Sequence, residues 1–388
     1  MTNHPKEKVR QLQRKLYLSA KRSPTRHFHA LYERIHDWAV LTESWKRIRA
    51  NHGAQGIDGQ TLESVEAQGI ESFLKSIQQY LREGRYHPMA VRKVEIPKPD
   101  GGTRPLGIPT VRDRVVQMAA KIVLEPVFEA DFKDCSYGYR PKRGALEAME
   151  KIRNFANQGY NFVLDADIRN YFGSIDHAKL MQAVEQRISD RRVLKLIRKW
   201  LKAGVLEDGV FRESLAGTPQ GGVLSPLLSN IYLNGFDDSW QKDNGTLGKL
   251  IRYCDDFVIL CRTPRALTEA QTKVENLLDD LGLKLHPVKT KKVELAWGKE
   301  GLNFLGWYVR KCPSVRFPGR YFLNRWPSSR SMKRLYSKIR GIIHQTAREK
   351  NVRDFIGSLN PVLRGWANYF RTGNSRRKFK QIDKYLWM

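Results

Sequence analysis

The sequence predicts an α+β fold, and three observations point there. In the middle of the chain, short alternating or continuous apolar runs read as strands joined by turns. Longer apolar stripes at helical spacing precede and interrupt those strands. From Trp326 onward the pattern is helical throughout and strongly basic, with fifteen Lys/Arg against three Asp/Glu.

At 388 residues, 41% hydrophobic and 10% aromatic, the chain is long enough for two or more cores. Its 69 Lys and Arg against 40 Asp and Glu give a formal charge of +29, which implies a polyanionic partner, with nucleic acid the leading candidate. An anionic membrane competes for that role. No apolar run, however, approaches the roughly 18 residues of a spanning helix, and the N-terminus shows no signal-peptide core. Cys135, Cys254, Cys261 and Cys312 show neither paired metal-ligand spacing nor disulfide density, so a reducing compartment is expected and zinc is not.

Residues 1–50 form a basic extension with helical stripes at Val9, Leu12, Leu16 and Leu18 and again at Phe28, Leu31, Ile35 and Trp38. Two readings stand: a helix pair packed on the body, or a basic clamp on a nucleic-acid backbone, and both can hold. The Gly-rich loop at 53–59 lacks the GxxxxGK[ST] pattern and follows no strand, so an ATP site is not supported. A helix with Phe73, Leu74, Ile77 and Leu81 on one face follows. Residues 91–96 alternate as a strand, 97–104 turn, and 106–109 resume extended structure. The result is a basic hairpin with Lys98 and Arg104 near its tip.

Residues 112–128 read as a helix with Val115, Val116, Ala119, Ile122 and Val123 inward. An aromatic loop at 136–141 and a helix at 144–155 come next. Residues 160–168 read as a buried strand that delivers carboxylates at its end. Beyond it Ser174 or Asp176 can cap a helix, and Asp165, Asp176 and His177 are assigned structural work. The turn-rich segment 217–222 leads to Ser225-Pro226, which opens a helix with suitable N-cap and N1 residues. A helix over about 266–281, an extended piece from 285 and one apolar strand over 302–309 complete this region. The C-terminal part is expected to hold a helix through Met332, Leu335, Ile339 and Ile342, a second over 352–359, and a third opened by Asn360-Pro361.

Residues 250–260 carry two adjacent carboxylates between apolar runs, which reads as strand, tight turn, strand with Asp255 and Asp256 at the tip. An arbitrary Asp-Asp pair is more often a solvated turn. Here the surroundings favour a cation, because hard ions such as Mg²⁺ prefer carboxylate oxygen. If the strand ending at Asp167 lies beside this hairpin in one sheet, three carboxylates converge and can hold two divalent ions. That arrangement suits in-line nucleotidyl transfer, one ion activating the attacking hydroxyl and the other stabilising the leaving phosphate. The basic hairpin can then cover a triphosphate with Lys98 and Arg104.

Tyr253-Cys254-Asp255-Asp256 resembles the YxDD box of reverse transcriptases, and the finer resemblance is to those encoded by group II introns, the maturases. It extends over nearly the whole chain: the Gly-rich loop at 53–59, Ile96-Pro97-Lys98-Pro99-Asp100-Gly101 with Arg104-Pro105-Leu106-Gly107-Ile108-Pro109, Asp167-Ile168-Arg169-Asn170-Tyr171-Phe172, Thr218-Pro219-Gln220-Gly221, Phe304-Leu305-Gly306-Trp307, and Gly365-Trp366-Ala367-Asn368-Tyr369-Phe370.

The resemblance implies a right-hand polymerase, with fingers and palm over 51–310 and a helical thumb over 311–388. It implies an RNA-directed DNA polymerase using Mg²⁺ (two ions, Mn²⁺ as a substitute), an RNA template, a DNA or RNA primer and dNTP, in a bacterial cytoplasm. Asp167, Asp255 and Asp256 would be catalytic and bind metal together with the Ile168 carbonyl. Lys98, Arg104 and Gln220 would contact the nucleotide, and Phe172 would be the aromatic gate against a ribose 2′-hydroxyl. Lys289 would be the basic residue that protonates pyrophosphate. Tyr253, Phe304, Leu305, Gly306, Trp307, Arg364 and Arg371 would contact primer or template. The basic thumb and N-terminal helices would hold duplex and structured RNA, group II intron RNA included.

Two departures stand out. The variable YxDD position is usually Ala in this group and is Cys254 here, which either tunes extension or is a neutral packing swap. Many relatives continue into a DNA-binding region and a Cys/His-rich endonuclease, which four cysteines cannot build, so independent DNA cleavage is not expected. Splicing without polymerisation, or a domesticated role in DNA repair, are the alternative functions, and a homodimer stays open.

Overall fold

The computed structural model describes residues 5–97, 101–207, 210–212, 217–218, 221–346 and 352–387. Lys98 and Gln220 lie outside the described residues. The chain forms two compact units that alternate along the sequence. One comprises 1–140, 168–240 and 275–285; the other comprises 141–167, 241–274 and 286–388.

In the first unit, helix α1 (Pro5–Arg22) packs on the long α6 (Val111–Glu129). Val9 and Ala20 are its buried contacts, Gln13 donates to the Ile122 carbonyl at 3.1 Å, and Lys21 donates to that of Ala130 at 3.1 Å. The packed-helix reading of the N-terminus therefore describes this face, and the remaining Lys and Arg face outward. Between them lie α2 (Tyr32–Ile35), α3 (Trp38–Ala50), α4 (Leu62–Gln68) and α5 (Ile70–Arg82). In the Gly-rich loop the Gly56 backbone lies so close to Thr110 that a Cβ there would come within 2.7 Å of its Cα. That glycine serves chain packing.

The basic hairpin is real: β1 (Val91–Pro97) pairs antiparallel with β2 (Thr103–Ile108), Ile96 opposite Arg104. Its sheet also gains two strands the sequence did not signal, β4 (Val205–Glu207) parallel to β1 and β5 (Val210–Arg212) antiparallel to β4. Each is three residues long, too short for period-2 alternation to register. At the start of α6, Thr110 caps the helix and the Asp113 carboxylate collects three donors. These are Tyr86 Oη at 2.6 Å, Thr110 Oγ1 at 2.8 Å and Met89 N at 3.1 Å, and Trp200 Nε1 in turn donates to Tyr86 Oη at 3.0 Å. Burial raises the Asp113 carboxyl above the usual carboxylate range, opposed by those hydrogen bonds. The unit also holds α8 (Tyr171–Ser174), α9 (His177–Glu185), α10 (Arg191–Lys202) and most of α11 (Ser225–Asp243). Asp176 accepts from Lys179 N as the cap of α9, and His177 Nε2 sits 2.7 Å from the Gly217 carbonyl oxygen, so both do the structural work expected.

The second unit is built on a four-stranded sheet ordered β6-β7-β3-β8: β6 (Gly248–Tyr253), β7 (Asp256–Cys261), β3 (Phe162–Asp167) and β8 (Lys291–Glu294), all antiparallel. Strand β7 is apolar and buried from Phe257 to Cys261, and α7 (Ala145–Asn157) packs against β6 and β7. The extended piece expected from 285 is a single bridging residue, Leu285, followed by a turn, and the strand begins only at Lys291.

The expected single strand over 302–309 is corrected to a hairpin, β9 (Leu302–Phe304) and β10 (Trp307–Pro313), with Phe304 opposite Trp307. Its two turn residues, Leu305 and Gly306, both have positive φ (49° and 82°), the type I′ signature. Asn-Gly normally announces such a turn, and a leucine in the first position hid it. A third strand, β11 (Tyr321–Pro327), pairs with β10.

The helix expected over about 266–281 is α12 (Pro264–Asp280), and the C-terminal helices are α13 (Ser329–Thr346), α14 (Val352–Phe370) and α15 (Arg376–Trp387). Residues 352–370 form one helix with Pro361 inside, not two. Proline removes the bond to the Gly357 carbonyl, but Phe355 and Leu359 before it and Val362, Leu363 and Trp366 after it bury against one core with Met332, Leu335, Ile339 and Ile382. Shared burial outweighs the lost turn. Helix α15 went unexpected because Phe379 and Ile382 are spaced helically within a run of Lys and Arg.

Candidate functional site

Strand β3 ends at Asp167, and β7 begins at Asp256. The register places these two residues directly opposite each other, so the condition that the carboxylate-bearing elements be neighbours in one sheet is met. Tyr253 faces Asp256 across the β6–β7 hairpin, leaving Cys254 and Asp255 as the two turn residues. Cys254 has φ 61° and Asp255 is not in the positive-φ region, the pattern of a II′ turn, where Gly is usual at the first position. A buried cysteine held left-handed is a strained choice for a turn.

Beneath that turn lies a residue the sequence reading missed. Arg252 is 0% exposed, and its Nη1 donates to the Cys254 carbonyl at 2.9 Å. A guanidinium under the turn ties down the strained main chain. Only its position in an otherwise apolar strand, Leu250-Ile251-Arg252-Tyr253, signalled that it must point inward.

The side chains of Asp167 and Asp256 are within hydrogen-bonding reach of each other. Surrounding protein, then repulsion from Asp255 and from Asp167, push the Asp256 carboxyl up to about 7. The same side chain keeps solvent-exposed surface. Solvent and ions therefore reach it, and a cation could relieve the repulsion. Asp165, two residues before Asp167 and on the same face of β3, is pushed up to about 7 by burial, opposed by Lys291 and reinforced by Asp167. Lys289 Nζ lies 2.8 Å from Asp167 Oδ2, and that bond raises the lysine above its ordinary range.

Among the described residues, no three His, Cys, Asp or Glu side chains form a ready-made metal cage. The donor set nevertheless fits Mg²⁺, which is commonly held by one or two carboxylates completed by water and substrate phosphates. Hard oxygen ligands, mutual repulsion and access to solvent all suit such an ion.

The other expected positions fall as follows. Phe172 is buried in the first unit, and its carbonyl accepts from Thr218 N at 2.8 Å. A Cβ on Gly217 would meet that same oxygen at 2.7 Å, and one on Gly221 would meet the Gly107 carbonyl at 2.7 Å. The segments flanking Phe172, Gln220 and the β2 end of the basic hairpin are thus brought together, and Arg104 is exposed on β2. Ile168 bridges Leu285.

In the second unit, Phe304 and Trp307 are buried, so of the four positions expected to contact a primer here only Leu305 and Gly306 keep exposed surface. Trp307 packs edge-on to Phe370 at 4.7 Å, Tyr369 Oη donates to the Leu305 carbonyl at 2.8 Å, and Ser331 Oγ donates to that of Gly306 at 2.7 Å. Arg364 and Arg371 are exposed, on α14 and just beyond its end. No helix is long and apolar enough to cross a membrane among the described residues, and all four cysteines are free.

Comparison with known proteins agrees with this geometry. Residues 96–309 match the family described as reverse transcriptase (RNA-dependent DNA polymerase), and residues 332–388 match the group II intron, maturase-specific domain. Protein YkfC of Escherichia coli (strain K12) is 34% identical over 77% of this chain and 87% of its own length. The group II intron-encoded protein LtrA of Lactococcus lactis subsp. cremoris is 38% identical over 54% of this chain, but this chain spans only 35% of LtrA. A chain of a partial Cas6-RT-Cas1–Cas2 complex shares 24% identity over 64% of this chain and 42% of that one, with a TM-score of 0.40, too low to argue from. With the double-aspartate hairpin set beside Asp167, and both sequence matches in the order the chain presents them, this protein belongs to the reverse transcriptases, in the group II intron maturase type.

Proposed function

We propose that this chain extends a primer 3′-hydroxyl with dNTP on an RNA template, and that it binds group II intron RNA and assists its splicing. The observation that carries the polymerase reading is the cross-strand pairing of Asp167 with Asp256 beside Asp255. Asp167, Asp255 and Asp256, with the Ile168 carbonyl, would hold two Mg²⁺ ions, or Mn²⁺ in their place. Such ions, when bound, favour deprotonation of the primer hydroxyl and neutralise charge on the departing pyrophosphate.

The chain's own residues supply the rest. Lys289, held 2.8 Å from Asp167, is a positioned proton donor for the leaving group. Arg104, with Lys98 and Gln220, would bind the triphosphate and the new base pair, and Phe172 would select against a 2′-hydroxyl by bulk. These four enter by motif. Tyr253, the Leu305-Gly306 backbone, Arg364 and Arg371 would touch primer or template. The segmentation into a basic extension (1–50), fingers and palm (51–310) and thumb (311–388) belongs to the same reading, as does a bacterial cytoplasmic setting.

Primer extension on an RNA template with dNTP and Mg²⁺, wild type beside Asp255→Ala, tests it. Extension by wild type alone is expected. Tight RNA binding with no extension by either protein would leave a splicing maturase without polymerase activity.

A further inference from the structure

Away from the carboxylates, the second unit carries an exposed aromatic surface that the proposed chemistry does not use. The rings of Trp297, in the loop before β9, and Tyr321, at the start of β11, are stacked with centroids 5.7 Å apart and planes 27° from parallel. Both stay open, at 50% and 42% exposure. The β10–β11 loop is closed by Ser314 N donating to the Arg320 carbonyl at 2.9 Å, and it presents Phe317, also exposed at 45%. Guanidinium groups accompany two of the three rings: Arg310 lies 5.9 Å from the Trp297 centroid, and Arg316 and Arg320 lie 5.4 and 5.8 Å from that of Phe317.

Exposed aromatics normally cost solvation, and a cluster of them marks an interaction surface. The company of arginine narrows the partner. A protein or lipid core would leave these cations unmatched, whereas a nucleic-acid strand offers a base to each ring face and a phosphate to each guanidinium. Double helices keep their bases stacked internally and present no face, so the occupant is single-stranded. The Trp297–Tyr321 gap is too narrow to admit a base between the rings; a base would extend the stack from its open side.

We propose that Trp297, Tyr321 and the Arg316-Phe317-Arg320 loop form a stacking platform for unpaired RNA, separate from the carboxylate site. The choice of RNA over DNA rests on the maturase reading, since the platform directly precedes the stretch matched as the maturase-specific domain.

The test is fluorescence anisotropy with a labelled, unstructured CA-repeat RNA, the same sequence as DNA, and a fully paired RNA duplex, using the whole chain without dNTP. Trp297→Ala and Tyr321→Ala should each weaken single-stranded RNA binding roughly tenfold, as loss of one base–aromatic stack does. Trp297→Phe should recover most of the loss, and duplex binding should not move. Arg316→Ala with Arg320→Ala should flatten the salt dependence by about 0.7 per phosphate contact removed. Both aromatic side chains are half exposed, so thermal unfolding should report intact protein, and the Phe variant guards against a folding artefact. Equal losses on duplex and single strand, no loss from either aromatic variant, or indifference between RNA and DNA would each overturn the proposal. Because binding is read without polymerisation, failure of the polymerase reading would leave this result standing.

Discussion

Replacing Arg252 with methionine separates the turn from the sheet that carries it. Methionine keeps much of the buried stem but removes the guanidinium that donates to the Cys254 carbonyl. A hydrogen bond from a charged donor contributes about 1.5–3 kcal/mol, and a buried acceptor left without one costs about 1–3 kcal/mol. Against this, a buried cation no longer has to be kept from water, which returns part of the loss. The net expectation is about 2–3 kcal/mol of destabilisation. For a unit of this size that lowers the melting temperature by roughly 5–10 °C.

The effect should also reach the site, because Cys254 is held at φ 61° directly before Asp255. A turn freed from its tether relaxes, and the carboxylates lose their relation to Asp167. Primer extension should fall at temperatures where the variant is still folded by circular dichroism. Arg252→Lys keeps the charge without the planar fork and should fall between the two. If Arg252→Met melts with wild type and extends primers at the wild-type rate, the guanidinium does not organise the turn and this reasoning is wrong.

Lys289→Ala should divide stability from activity. The ion pair with Asp167 is 60% exposed on the lysine side, so its loss should cost under about 1 kcal/mol, while single-turnover extension should slow by about a hundredfold if the lysine donates a proton. Asp113→Ala strips the acceptor from the Tyr86, Thr110 and Met89 donors and should cost about 3–5 kcal/mol in chemical denaturation. Its pH dependence has a definite sign. Since burial raises the folded-state carboxyl, its contribution is fully present below the unfolded value of about 3.9 and is lost as pH rises through the raised folded value. The stability advantage over Asp113→Asn should therefore be largest in acid and narrow towards neutrality. Pro361→Ala restores the missing bond to the Gly357 carbonyl and should raise thermal stability by about 1–3 kcal/mol.

What could be read from the sequence depended on whether the governing contact was local. The Asp-Asp hairpin announced itself, because two apolar runs around a polar pair have few other conformations. Ser225-Pro226 and the β1–β2 hairpin carry their own capping and turn chemistry. The Leu305-Gly306 turn did not, since its two carbonyls are held by Tyr369 and Ser331, more than twenty residues away. Pro361 misled for a related reason: a rule about one missing hydrogen bond was overruled by packing from Phe355 to Trp366. In the site, Asp167 and Asp256 followed from pattern, but Arg252 could be assigned only once the turn carbonyl above it was known.

The attachment of the C-terminal helices to the β9–β10 turn has a consequence for how this region can diverge. Tyr369 Oη and Ser331 Oγ grip the carbonyls of residues 305 and 306, atoms that every amino acid possesses. Substitution at 305 leaves the latch unchanged, while substitution at 331 or 369 opens it. Sequence comparison across relatives would show two constrained side chains with no covarying partner, and coevolution methods would score this contact as absent. A joint written half in backbone is invisible from one of its sides.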